Sequence, residues 1–256
     1  MTENLRTIVD AFWHRGWVRV PAVYDAQAVR SIAELASAFA SSIAAEAVSH
    51  ERANICDVDE EGRLFPRKLD FPYLRHLEFR AFILAPRLQA VLKAVLGMQS
   101  YLVRDHIFMK PPRCGSAKPF HQDNAHMMCE PVDQVITAWI ALDEATEANG
   151  CMQYLDGSHR GGTLPHNISP ERPYNVEPVS THVLNRFPVC HVCALPGDVL
   201  LHHALTFHAS GSNATDRWRR GYASHWVGRG VRSANDTLKW AYSETVGEGL
   251  VQQRAP

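Results

Sequence analysis

The sequence predicts a mainly β protein with supporting α-helices, in which two antiparallel sheets pack face to face as a double-stranded β-helix, or jelly roll. Three observations carry that prediction. From residue 101 onward almost every segment reads as a short strand bounded by Gly or Pro turns. The residues before it place apolar side chains at helical spacing. A chain of 256 residues with 46% apolar content is long enough for one sizeable core. The expectation is a single domain over 1–256, with helices at about 4–97, a jelly-roll core at about 101–228 and a tail at 229–256.

Leu5 to Trp13 reads as a short amphipathic helix stopped at Gly16, and Trp17 to Val20 alternates as an edge strand ended by Pro21. Asp25 is an N-cap for a long helix over 26 to about 48, striped by Val29, Ile32, Leu35, Phe39 and Ile43. Residues 50–75 lose periodicity and read as irregular chain flanking a substrate entrance. Two helical pieces follow, broken before Pro86 and closed at Gly97.

Tyr101 to Lys110 is the first core strand, ended by Pro111-Pro112. Gln134 to Asp143 is apolar on both faces and so lies between layers. A turn at Glu147-Ala148-Asn149-Gly150 leads to a strand over Cys151 to Leu155, closed by Asp156-Gly157-Ser158-His159. Residues 160–188 carry five prolines and little pattern, which suggests a lid or long crossover. Val199 to His203 and Arg219 to Val227 complete the strands, and Trp240 and Tyr242 are read as docking the polar tail.

A net charge of -1 gives no general attraction to nucleic acid or to anionic membrane, so the run Arg217-Trp218-Arg219-Arg220 is placed in a partly buried strand. No apolar run approaches the ~20 residues that span a bilayer, and the expected location is the cytoplasm. Cys190 and Cys193 have a metal-site spacing but no second pair, and are read as buried strand cysteines.

The stretch that organises the chain is Phe120-His121-Gln122-Asp123-Asn124. In an extended segment side chains two apart share a side, so His121 and Asp123 offer an imidazole nitrogen and a carboxylate oxygen to one metal ion. Two His plus one carboxylate is the set that leaves open positions on non-haem Fe(II). With 14 His and 13 Asp in the chain, about 0.7 such triplets arise by chance, so context must carry the assignment. His76-Leu77-Glu78 is set aside because its surroundings read as helix, where i and i+2 diverge. His202, His203 and His208 are candidates for the second histidine. Of the adjacent pair at most one faces a cavity, and His208 lies past the strand end, where a loop histidine can turn inward.

These blocks resemble the phytanoyl-CoA dioxygenase family of Fe(II)/2-oxoglutarate oxygenases, from about Gly16 to Val227. The resemblance rests on the His121/Asp123 pair, Asn149-Gly150-Cys151-Met152, Asp156-Gly157-Ser158-His159, and Gly197-Asp198 leading to His208-Ala209-Ser210 with Asn213 and Arg219. It implies a cupin-like jelly roll with Fe(II) held by His121, Asp123 and His208, and with 2-oxoglutarate and O2 as cosubstrates. It also implies that Arg219 grips the far carboxylate, helped by Ser210, with Trp139 packed near the cosubstrate. A guanidinium suits that task because it binds a carboxylate bidentately and stays charged. Arg220 should point to the opposite face.

His203 and His126 are read as supporting histidines rather than ligands, and Asn124, His126, Arg104 and Arg186 as candidate substrate contacts. The implied activity is oxidation of a small-molecule C–H bond with release of succinate and CO2, hydroxylation being the default outcome. Desaturation, cyclisation and demethylation use the same ligands, whereas halogenation uses a vacated carboxylate position that Asp123 fills. The alternative class is a cupin-like metal-binding protein without oxygenase activity.

Overall fold

A computed structural model describes residues 3–168, 176–235, 238 and 252–253. Ten strands, numbered in chain order, build the two main sheets: β1 (Trp17–Val20), β2 (Lys68–Asp70), β3 (Tyr101–Lys110), β4 (Lys118–His121), β5 (Val135–Ala141), β6 (Met152–Leu155), β7 (Val189–Val192), β8 (Val199–His203), β9 (His208–Ser210) and β10 (Arg219–Val227). The larger sheet runs β1-β8-β5-β10-β3-β2 and the smaller β7-β6-β9-β4, with every pairing antiparallel. This is the jelly roll that the strand pattern predicts.

The N-terminal helices form one cover of the large sheet. Asp25 caps the helix Ala26–Glu46 by accepting a hydrogen bond from the Ala28 amide at 2.8 Å. That helix buries Val29, Ile32, Ala33, Ala36 and Ala40, while Leu35, Phe39 and Ile43 pack at the margin. Leu77–Ile83 and Pro86–Leu96 add Phe79, Ile83, Leu88 and Leu92 to the same core. Against them lie Ile107, Ile136, Ile140, Leu201 and Tyr222, which alternate with side chains pointing the other way. β5 is therefore buried along its whole length, as expected of a strand between layers.

Some local expectations change. Residues 50–75 are not irregular: they form the helix Ser49–Ile55, the ribbon Cys56–Val58 with Leu64–Pro66, β2 and a short helix Pro72–Arg75. Three-residue strands are too short to show a period, and mutual pairing holds them. Within 160–188, His166–Ile168 pairs with Val176–Pro178, and 169–175 lie outside the described residues. Trp240 and Tyr242 lie outside them too. Cys190 is half-buried because β7 is an edge strand with a face to solvent, and Cys193, just past the end of that strand, is exposed. Among the described residues no helix is long and apolar enough to cross a membrane.

Candidate metal and cosubstrate site

The cavity between the sheets is set by register. On β10, Arg219, Gly221, Ala223 and His225 share a face, and they lie opposite Lys110, Phe108, His106 and Arg104 of β3. β5 contributes Thr137 beside His225 and Trp139 beside Ala223, and β8 adds His202 opposite Thr137. The small sheet supplies the facing wall, where His121 of β4 is the register partner of His208 of β9 and Lys118 that of Ser210. The cavity volume is about 310 Å³.

His121, Asp123 and His208, all buried, bring one ligand atom each to within 4.8 Å of one another. His121 Nε2 is 3.9 Å and His208 Nε2 3.6 Å from Asp123 Oδ1. The other ring nitrogens are occupied: His121 Nδ1–H donates to the Pro119 carbonyl at 2.9 Å and His208 Nδ1–H to that of Thr206 at 3.0 Å. Those bonds fix the tautomer that leaves both Nε2 lone pairs aimed at the shared space. Burial, followed by His202, pushes the His208 imidazole down to about 4, and burial with His208 lowers that of His121, so both are neutral near pH 7.

Two expectations about this segment need correction. The chain is not extended through Asp123: β4 ends at His121, and Asp123 (φ -59, ψ -36) begins the helical turn Asn124–Met127. His208 is not in a loop but opens β9. The ring and carboxylate converge because a strand end and a helical turn face a neighbouring strand, not through a period of two.

Asp123 Oδ2, the outer oxygen, accepts from Thr137 Oγ1 at 2.5 Å and from His202 Nε2 at 3.0 Å. His202 Nδ1 then accepts from the Tyr154 hydroxyl at 3.1 Å, and Thr137 Oγ1 accepts from His225 Nδ1 at 2.9 Å. Burial works to raise the Asp123 pKa, but His208 and His202 outweigh it and hold the carboxyl well below its usual range.

Arg219 is 1% exposed. Its Nη2 donates to the Gly150 carbonyl, its Cζ sits 5.4 Å from the Trp139 ring centroid, and its Nε has no hydrogen-bond partner among the described residues. Burial lowers its pKa to about 10, so it is a cation at neutral pH. Gly221 makes room for Trp139, since a Cβ there would lie 2.1 Å from the indole Cζ2. Arg220 points the other way, into Asp143 at 2.7 and 2.8 Å and the Ala33 carbonyl at 3.1 Å.

Ser210, Arg104 and His126 line the cavity. Asn124 does not, because its Oδ1 accepts from the Cys129 amide at 2.8 Å; Arg186, at the end of Thr181–Arg186, is exposed and away from it. Sequence reasoning missed Thr137, His225, Lys110 and Lys118. For His225 a signal existed, since it lies an even number of residues from Arg219 on one strand. His203, on the other face of β8 from His202, contacts Asp133 at 3.2 Å.

Solved structures share this fold. The epimerase SnoN in complex with Fe3+, alpha ketoglutarate and nogalamycin RO superposes with a TM-score of 0.73 at 20% identity, covering 99% of this chain and 95% of that one. The carbocyclase SnoK from nogalamycin biosynthesis gives 0.71 at 20% identity, covering 92% and 87%. The non-heme monooxygenase ThoJ gives 0.71 at 21%, covering 88% and 79%. At such identities the likeness is one of fold. In sequence, a probable phytanoyl-CoA dioxygenase of Caenorhabditis elegans is 29% identical over 185 residues, 65% of this chain and 56% of that protein. The human peroxisomal phytanoyl-CoA dioxygenase is 29% identical over 140 residues, 52% and 39% of the two. The chain thus spans about half the length of the curated relatives it matches. The family model for phytanoyl-CoA dioxygenase (PhyH) matches residues 12–221, from the helix before β1 into β10, and on that extent the chain belongs to the phytanoyl-CoA dioxygenase family.

Proposed function

We propose that the protein is a non-haem Fe(II)/2-oxoglutarate-dependent oxygenase that hydroxylates an unactivated C–H bond of a small molecule. The observation that carries this reading is the coincidence, in one cavity, of three convergent ligand atoms with a buried guanidinium whose Nε has no hydrogen-bond partner among the described residues. The donor set fits iron: two neutral imidazoles and one carboxylate on one side leave the opposite positions open. The guanidinium fits a dicarboxylate, because an orphaned buried donor is costly and a carboxylate satisfies it bidentately.

When bound, iron with 2-oxoglutarate and O2 supplies the oxidising chemistry that converts the cosubstrate to succinate and CO2. The chain's own residues prepare that site. His121 and His208 present Nε2, and Thr137 and His202 hold the Asp123 carboxylate so that Oδ1 faces those two nitrogens, and these three atoms would hold the iron. Arg219, kept in place by Gly150 and Trp139, takes the far carboxylate, and Ser210 stands on the same wall. SnoN, crystallised with Fe3+ and alpha ketoglutarate, supports the cofactor assignment, while its epimerase activity and the carbocyclase activity of SnoK mark cyclisation and related outcomes as the alternatives to hydroxylation.

Anaerobic addition of Fe(II) and 2-oxoglutarate to the apoprotein should produce a visible metal-to-ligand charge-transfer band. Bound iron without that band would favour a metal-binding protein of another class.

A further inference from the structure

Cys190 and Cys193 have the spacing of a redox pair, yet the fold separates them. β7 is extended, and side chains an odd number of residues apart leave a strand on opposite faces. Cys190 stands opposite Tyr154, where its Sγ accepts from Arg15 Nη2 at 3.5 Å. Cys193 lies on the other side, just past the end of the strand.

The partner of Cys193 comes from the neighbouring strand. β7 and β6 pair antiparallel from Val189 with Leu155 to Val192 with Met152, and one further step sets Cys193 opposite Cys151. Both backbones are pinned around that step. Ala194 and Ala145 exchange hydrogen bonds at 3.0 and 2.8 Å, the Cys151 amide donates to the Thr146 carbonyl at 2.8 Å, and the Cys193 carbonyl accepts from Arg19 Nη1 at 3.3 Å. The Cys151 amide and the Cys193 carbonyl are thus engaged elsewhere, as in an opposed pair that makes no backbone bonds of its own. In such pairs the Cα atoms approach to about 4.5 Å and the side chains are at their closest. Disulfides span Cα separations of roughly 4.4–6.8 Å, so this pair can close without moving the strands. The two thiols already hydrogen-bond to each other.

Access to the pair is one-sided. Cys151 is 1% exposed, in the cluster that holds Ala145, Val192 and Ala194, whereas Cys193 faces solvent. Burial, with Cys193 beside it, also pushes the Cys151 thiol up to about 11. A low-molecular-weight disulfide, RSSR, therefore meets Cys193 first. The Cys193 thiolate attacks one sulfur of RSSR, whose S–S bond breaks, and the released RS⁻ takes up a proton. Cys151 then gives its proton to solvent and attacks the Cys193 sulfur, releasing the second RS⁻. Two cysteine thiols lose two electrons and two protons, and one RSSR becomes two RSH. The new bond lies beside the Arg219 pocket, because the residue before Cys151 is Gly150, whose carbonyl accepts from Arg219 Nη2. It also fastens β7, which pairs with β6 at the edge of the small sheet.

We propose that Cys151 and Cys193 form a reversible disulfide that staples the edge strand β7 to β6, next to the turn that holds Arg219. The full chain is incubated with oxidised glutathione, blocked with N-ethylmaleimide under denaturing conditions and read by peptide mass spectrometry. The expected main product is a Cys151–Cys193 link, two hydrogens lighter than the reduced pair and reversed by dithiothreitol. Cys151→Ser should stop at a glutathione mixed disulfide on Cys193, and Cys193→Ser, a change at an exposed position, should leave Cys151 a thiol. Because the link closes a loop of roughly 40 residues, the oxidised wild type should melt roughly 5–10 °C above its reduced form, and Cys193→Ser should show no such rise. A link between Cys190 and Cys193, a mixed disulfide that persists on Cys193 of the wild type, or a melting temperature that does not rise on oxidation would overturn the proposal.

Discussion

His202 approaches Asp123 from the side away from the two convergent histidines: its Nε2 is 3.0 Å from Oδ2, while His208 Nε2 faces Oδ1 at 3.6 Å. His202 thus holds the outer oxygen of the Asp123 carboxylate, while His121 and His208 face the other one. His121→Ala, Asp123→Ala and His208→Ala should each abolish tight Fe(II) binding in anaerobic titrations. His202→Ala should weaken it by roughly 10- to 100-fold, the usual effect of removing a partner that orients a ligand. Loss as complete as in the other three would make His202 a ligand.

Arg219→Met should retain metal and lose 2-oxoglutarate. Removing one partner of a buried ion pair costs roughly 3–5 kcal/mol, which is on the order of a hundredfold or more in affinity. Arg220→Met is the control: its forked contact with Asp143 lies among the helices, so the variant should lose about 2 kcal/mol of stability while 2-oxoglutarate titrations stay near wild type. The reverse pattern would transfer the role to Arg220.

Gly221→Ala should disturb the cosubstrate pocket from outside it. The new methyl collides with the indole of Trp139 at 2.1 Å, and overpacking of this kind costs roughly 1–3 kcal/mol. Melting temperature and 2-oxoglutarate affinity should fall together, and Trp139→Leu in the same chain should recover part of the stability. Full stability in the single variant would show that the ring has somewhere else to go.

Gln122 ties the segment after β6 to the site. It is fully buried, its Nε2 donates to the carbonyls of Gly162 and Leu205 at 2.8 and 2.7 Å, and its Oε1 accepts from the Leu164 amide at 2.8 Å. Gln122→Ala orphans all three backbone groups, at roughly 1–3 kcal/mol for each left unsatisfied. Limited proteolysis between Gly161 and Phe187 should accelerate in the variant. An unchanged cleavage rate would mean that other contacts hold that segment.

How much of this was legible in the chain depended on the range of the interaction. Alternation along one strand separates Arg219 from Arg220 and His202 from His203, because a period of two needs no partner to be visible. Thr137 was not legible, since it acquires meaning only where β5 and the Asp123 turn meet, and although His225 shares a face with Arg219, its contact with Thr137 appears only where β5 and β10 meet. Asn124 shows the same limit. Its place beside Asp123 makes it a candidate substrate contact in the sequence, and only the helical turn reveals that its amide oxygen is taken by the Cys129 amide.

Acid should destabilise the metal-free protein through its buried neutral histidines. Burial, then His159, lowers His203 to about 4, below an unfolded value near 6.5. As pH falls the unfolded chain takes the proton first, so this contribution is complete above about 6.5 and declines toward the folded value. From pH 7 to 5 the loss is about 2 kcal/mol for such a group. Thermal melts should show it, and His203→Asn should flatten the slope between those pH values.

The pairing of His121 with His208 across β4 and β9 has a bearing on the unfolded chain as well as on the folded one. A metal ion bound to both imidazoles would act as a clasp between positions 121 and 208, and because it binds the folded chain in preference to the unfolded one it would stabilise the fold by mass action. The clasp would join two strands already adjacent in the small sheet, so it would impose no new path on the backbone. Occupancy of the site would therefore add to the stability of a sheet that is already paired.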